Sequence, residues 1–146
     1  MQVFKPYPSI VLQEVPGEIS LGFMVKGCRL NCPDCSYKSL KQWTDLSLQE
    51  YTRILDRYKG LATCVVWMGG DWDRSLPVYL SEAQQRGYRT CLYTGRELHE
   101  ISPEIVKLLD YCKTGKWEGK TLKEKGSNQK FWKLPEMQDW SYKFRP

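Results

Sequence analysis

Four short apolar runs alternate with amphipathic stretches along the chain, and each run ends at a small or polar turn. Ile19-Ser20-Leu21-Gly22-Phe23-Met24-Val25 reads as the first clear strand and runs into Gly27. Ser47 reads as a helix N-cap, with Glu50 three residues on completing a capping box. Leu48, Tyr51, Ile54, Leu55 and Tyr58 follow helical spacing, and Gly60 is placed to end that helix. Thr63 to Met68 is an apolar run of strand length that stops at Gly69-Gly70-Asp71. A second helix is expected from about Leu76 to Arg86, with Gly87 at its end. Tyr88 to Tyr93 repeats the strand pattern and stops at Thr94-Gly95. Ser102-Pro103-Glu104 opens a short helix, with Pro103 at its first position. Asp110 to Lys113 is a fourth strand, ending at Thr114-Gly115. Residues 116–128 read as a loop and Phe131 to Leu134 as a final short strand. Residues 1–18, with Pro6, Pro8 and Pro16, read as an irregular lead, and residues 135–146 as a tail without a clear pattern.

Strand, loop and helix recurring in that order predict an α/β domain built on parallel strands with helices outside them. A complete barrel of eight such units takes at least ~200 residues. The 146 residues here suffice for one domain holding an incomplete, partial TIM-like barrel. In such sheets ligands bind beyond the carboxyl ends of the strands. The four strand ends carry Cys28–Cys35, Gly69–Asp71, Thr94–Gly95 and Lys113–Gly115, so one site on one rim is expected.

Composition changes this picture little. The chain is 41% hydrophobic and 27% charged, which fits a globular domain and excludes a disordered one. No run approaches the ~20 apolar residues of a membrane helix. The first residues lack the apolar core of a signal peptide, so a cytoplasmic location is expected, where clustered cysteines bind metal more often than they pair. The net charge of +5 permits an acidic partner. No RNA or DNA module signature accompanies it.

The chemistry concentrates in Gly27-Cys28-Arg29-Leu30-Asn31-Cys32-Pro33-Asp34-Cys35. Three of the six cysteines lie within eight residues, spaced C-x3-C-x2-C. Asn31 and Pro33 favour a loop, which can aim three sulfurs at one point. Soft thiolates so arranged suit an iron–sulfur cluster or zinc. A four-iron cluster normally takes four thiolates, and three would leave one iron open to an outside ligand. Structural zinc would need a fourth ligand; the sole histidine, His99, reads as a surface residue. Cys64, Cys91 and Cys112 each sit within an expected strand and read as small buried apolar residues. Taken alone, Gly69-Gly70 is also a plain turn, Thr94 a strand-end cap, Lys113 a solvated lysine, and Asn128 and Gln129 loop residues. Trp67, Tyr93, Trp132 and Trp140 read as core or rim packing.

The cysteine spacing after the first strand resembles the signature of the radical S-adenosylmethionine (SAM) enzymes. The resemblance implies a [4Fe–4S] cluster on Cys28, Cys32 and Cys35, with SAM on the fourth iron through its amino and carboxylate groups. It also implies reductive cleavage of SAM to methionine and a 5′-deoxyadenosyl radical. Gly69-Gly70-Asp71 resembles the glycine-glycine-acid motif that meets the SAM amino group; two glycines expose backbone carbonyls, and a carboxylate suits an ammonium. Asp34 stands where many members carry an aromatic. Val15 to Leu21 with Gly27-Cys28, Met68 to Asp71, Leu92 to Gly95, Asp110 to Gly115 and Ser127 to Phe131 resemble, in order, segments of the activating proteins of anaerobic ribonucleoside-triphosphate reductases. These segments run from about residue 15 to 134. By that resemblance Asp34, Ser36, Gly69, Gly70, Asp71 and Thr94 bind SAM, with Lys113, Asn128 and Gln129 as further candidates.

The activity so implied is hydrogen abstraction from a glycine of the partner reductase, leaving a glycyl radical there. No side chain is implied as a catalyst beyond the cluster and the SAM-derived radical. A one-electron donor such as a flavodoxin is implied as a second partner, and no membrane. Two other readings stand beside this one. The first is a small radical SAM enzyme acting on another glycyl-radical enzyme or a small molecule. The second is an iron–sulfur electron carrier or zinc-binding module.

Overall fold

The computed structural model describes residues 1–27 and 42–145. Its centre is a sheet of seven strands. Four of them are parallel and adjacent: β3 (Ser20–Met24), β5 (Cys64–Met68), β6 (Arg89–Tyr93) and β7 (Tyr111–Thr114). β2 (Ser9–Val11) adds antiparallel on one side. On the other side β8 (Lys130–Lys133) and β9 (Gln138–Asp139) add antiparallel in turn. The order is β2-β3-β5-β6-β7-β8-β9, so among the described residues β2 and β9 are edges and the sheet does not close on itself. The expected parallel strands form its middle, and antiparallel strands extend it.

The parallel strands are apolar on both faces because both faces are covered. Leu21, Phe23, Val65, Trp67, Leu92 and Cys112 point to the helical side. They pack against α1 (Leu48–Arg57), α2 (Leu76–Gln85) and α3 (Pro103–Val106). Trp67 is fully buried and stacks on Phe23 at 4.8 Å between centroids. The helix starts follow local chemistry: Ser47 Oγ accepts from the Glu50 N–H at 3.1 Å, and Ser102 Oγ from the Glu104 N–H at 3.3 Å. Gly60 and Gly87 follow α1 and α2 with φ of +85° and +83°, where glycine is unstrained.

The opposite face carries Cys64, Val66, Cys91, Tyr111 and Phe131. Val15 from the lead and Trp140 and Phe144 from the tail pack over it. The tail therefore has a structure: β9, then a 3-10 turn over Ser141–Phe144 whose Ser141 Oγ accepts from the Phe131 N–H at 3.0 Å.

The lead is the main correction. It holds two strands within otherwise irregular backbone: β1 (Gln2–Phe4) pairs antiparallel with β4 (Trp43–Asp45), and β2 joins the main sheet. β1 also ties down both ends of the segment holding the three cysteines. Lys26 N–H donates to Gln2 O at 3.0 Å, and Lys5 N–H donates to Gln42 O at 2.8 Å. Val3 bridges Val25 between them. Among the described residues, no helix is long and apolar enough to cross a membrane.

Candidate functional site

The carboxyl ends of the four parallel strands lie level. Met24, Met68, Tyr93 and Lys113 stand in one cross-strand row. Backbone bonds continue the row one step past the strands: Val25 N–H to Met68 O at 3.0 Å, Gly69 N–H to Tyr93 O at 2.8 Å, and Thr94 N–H to Lys113 O at 2.9 Å. The expected rim is thus continuous from the start of the cysteine segment to Gly115. Cys28, Cys32, Cys35, Asp34 and Ser36 lie outside the described residues. Among the described residues, no group of three histidine, cysteine or acidic side chains is placed to hold a metal.

Gly69 and Gly70 make the turn after β5 with φ of +87° and +104°, a conformation that side chains disfavour. Space is short there as well. A Cβ on Gly69 would lie 2.6 Å from the Trp72 ring, and one on Gly70 would lie 3.1 Å from Val25. The indole of Trp72 also covers Gly27, where a Cβ would lie 3.0 Å from Nε1. Its Nε1–H donates to Lys26 O at 3.1 Å. One side chain therefore spans the end of β3, where the cysteine segment leaves, and the Gly69–Asp71 turn.

Asp71 follows directly and is inward: its side chain is 3% exposed. Oδ2 lies 3.2 Å from Arg96 Nε, while Oδ1 is buried with no hydrogen-bond partner among the described residues. Desolvation pushes its carboxyl above the ordinary value of 3.8; its own backbone N–H, Arg96 and Thr94 pull the other way. The folded chain then holds this proton more tightly than the unfolded chain between 3.8 and the raised value. Its contribution to stability falls as pH rises through that window. Asp71→Asn lacks the titration, so its unfolding temperature should gain on the wild type's as pH rises from about 4 towards 7. Thermal denaturation without cofactor measures this; a difference flat in pH, or of opposite slope, contradicts it.

Thr94 is nearly buried, and its Oγ1 accepts from the Arg96 N–H at 3.0 Å, so it does shape the turn after β6. Lys113 lies on the face away from the helices, with Nζ 4.8 Å from the centre of the Tyr93 ring. Burial is the main cause of its lowered pKa, and Cys91 and Glu14 oppose that shift. Asn128 and Gln129 reach the same rim because β8 runs antiparallel to β7, pairing Lys130 with Thr114. Their amides serve the β7–β8 connection: Asn128 Nδ2 donates to Lys116 O at 2.9 Å and Gln129 Nε2 to Gly115 O at 3.3 Å. Gln129 Oε1 is buried without a hydrogen-bond partner among the described residues.

The three strand thiols stand apart from this chemistry. Cys64, Cys91 and Cys112 are buried and unpaired. Desolvation pushes the Cys64 thiol up to about 12 and raises the other two as well, which keeps them protonated and poor ligands. His99 is exposed, in a 3-10 turn over Leu98–Glu100.

Two rim residues escaped the sequence reading, Trp72 and Arg96. A signal for Arg96 existed: an acid and a base one step beyond two neighbouring parallel strands can meet. The described rim fits the amino-acid end of SAM in kind, since it offers a buried carboxylate with an unused oxygen and a half-exposed guanidinium beside the Gly69-Gly70 turn. No protein-family model matches the chain, and no curated protein or solved structure does.

Proposed function

We propose that the chain is a radical SAM activase, an incomplete barrel that generates a glycyl radical on an anaerobic ribonucleoside-triphosphate reductase. The observation that carries this reading is the level rim. The segment bearing Cys28, Cys32 and Cys35 leaves it one strand away from Gly69-Gly70-Asp71, and Trp72 spans the two strand ends. In this reading the three cysteines hold a [4Fe–4S] cluster. Gly69, Gly70, Asp71 and Thr94, with Asp34 and Ser36, receive SAM; Lys113, Asn128 and Gln129 line the far side of the rim. The bound cluster and SAM supply the one-electron cleavage whose radical takes the hydrogen. The protein's share is placement and exclusion of water. β1 and β4 hold the ends of the cysteine segment, and the paired strand ends fix the turn opposite.

The open sheet supports a protein substrate. With β2 and β9 unpaired on their outer sides among the described residues, a loop of the partner has lateral access that a closed barrel denies. The net charge of +5 suits an acidic electron donor such as a flavodoxin, in a cytoplasmic setting. The test is anaerobic incubation with a candidate reductase, SAM and a reductant. A glycyl doublet in the partner's EPR spectrum is expected. SAM cleavage without that doublet would move the assignment to another glycyl-radical enzyme or a small molecule.

A further inference from the structure

β7 and β8 are adjacent and antiparallel, with Thr114 paired to Lys130. Strands so placed close into a hairpin with about two to five residues. Here residues 115–129 intervene, far more than the pairing needs. The connection is nonetheless tied down along its length. Arg145 Nε donates to Leu122 O at 3.2 Å, and Leu122 is buried on the face away from the helices. Ser127 Oγ donates to Lys120 O at 3.2 Å, and Thr121 N–H to Glu124 Oε2 at 2.6 Å. The Asn128 and Gln129 amides fasten its start to its end. A long loop that the topology does not require, held in one conformation, is where binding surfaces are built.

Its outward side is basic. Lys116, Lys120, Lys123, Lys125 and Lys130 are all exposed. Against Glu118 and Glu124 they place three of the chain's five net positive charges on this one connection. Glu124 is engaged with the loop's own backbone. Lys130 lies over the Trp132 ring, and among the described residues the other four lysines form no ion pair. Like charges this dense repel one another in the free protein and are relieved by an acidic surface.

The connection also leaves the rim that carries the proposed site. Gly115 N–H donates to Arg96 O at 3.1 Å, in the turn that follows β6. It stands at the β7 end of the row of strand ends, whereas the cysteine segment leaves the β3 end. An electron donor has to approach the cluster, at that other end. A protein whose loop enters the open rim rests its body on what surrounds the opening, and this connection is part of that surround.

We infer that the lysine-bearing connection between β7 and β8 docks an acidic surface of the reductase whose glycine loop enters the rim. The inference rests on the proposed function and adds a docking surface to it. Charges at the edge of an interface set encounter and register more than they add buried contact, so the effect is on association.

The test is the initial rate of glycyl-radical formation, read by EPR, against reductase concentration, with a chemical reductant in place of a protein donor. Reversing Lys120, Lys123 and Lys125 together to Glu should raise KM for the reductase at least about 10-fold. The rate at saturating reductase and SAM cleavage without reductase should stay within about 2-fold. Raising salt from about 0.05 to 0.5 M should lift the wild-type KM towards that of the variant, because screening removes the same attraction. Arg57→Glu, Lys59→Glu and Lys107→Glu, exposed at other places on the chain, change the net charge equally and should leave KM within about 3-fold. Where the triple Glu variant fails to fold by circular dichroism, the triple Gln variant carries the comparison with a smaller rise. An unmoved KM, or an equal rise in the distant variant, would overturn the inference. So would a rise seen for an acidic flavodoxin used as donor and not for the reductase. A wild type that cleaves SAM and leaves no doublet on the reductase would overturn the proposed function along with the inference; one that forms the doublet with a KM indifferent to these lysines overturns the inference alone.

Discussion

Gly69→Ala should leave a folded protein with little hold on SAM. Two effects combine at this position. The backbone φ of +87° strains an alanine, at about 1–2 kcal/mol. The new methyl would sit 2.6 Å from the Trp72 ring, so the ring must move. Its escape is limited, because Nε1–H is bonded to Lys26 O and the indole already lies over Gly27. Displacing Trp72 therefore disturbs the end of β3, next to Cys28, together with the turn proposed to receive SAM. The total, roughly 2–4 kcal/mol, is smaller than the 5–15 kcal/mol that holds an ordinary domain together. Gly60→Ala is the matched control. Its φ is +85°, but nothing lies within 4 Å of the added methyl. Calorimetry should show SAM binding weakened at least about 10-fold in Gly69→Ala and unchanged in Gly60→Ala, with both losing stability. Equal SAM affinity in the two variants would remove the Gly69 turn from the site.

Cys28→Ala should abolish SAM cleavage altogether. The argument is one of ligand count. With three thiolates a four-iron cluster keeps one open iron; with two it has lost a third of its protein ligands, and no spare thiolate stands by. Cys64, Cys91 and Cys112 cannot substitute, since burial in β5, β6 and β7 keeps them protonated and inside the sheet. Iron analysis and product chromatography measure the outcome. Full retention of cleavage would refute the ligand assignment. The contrasting variant, Cys91→Ala, removes a buried side chain and should cost stability while leaving cluster loading intact.

The parallel core was legible in the sequence for a physical reason. β3, β5, β6 and β7 are covered on both faces, so they read as unbroken apolar runs, and α1 and α3 begin at Ser47 and Ser102 side chains that cap them locally. The level rim followed, because strands that lead into helices in turn put their carboxyl ends on one side. What was not legible depends on distant partners. β1 and β4 are three residues each and exist because they pair with one another. β9 has two residues and rests on β8. Prolines at 6, 8 and 16 made the lead read as irregular, whereas its backbone brackets the cysteine segment. Trp72 reads as an ordinary loop aromatic until its contacts with Gly27 and Gly69 are known. The strand end that places Asp71 on the rim was legible, but its pairing with Arg96 spans 25 positions and two strand ends.

The central claim is that this rim brings a cluster with one open iron together with SAM. Anaerobic reconstitution followed by EPR of the reduced protein tests it most directly. The account predicts about four irons per chain and a cluster signal whose shape changes when SAM is added. A colourless protein that binds zinc, or a cluster signal indifferent to SAM, would contradict it.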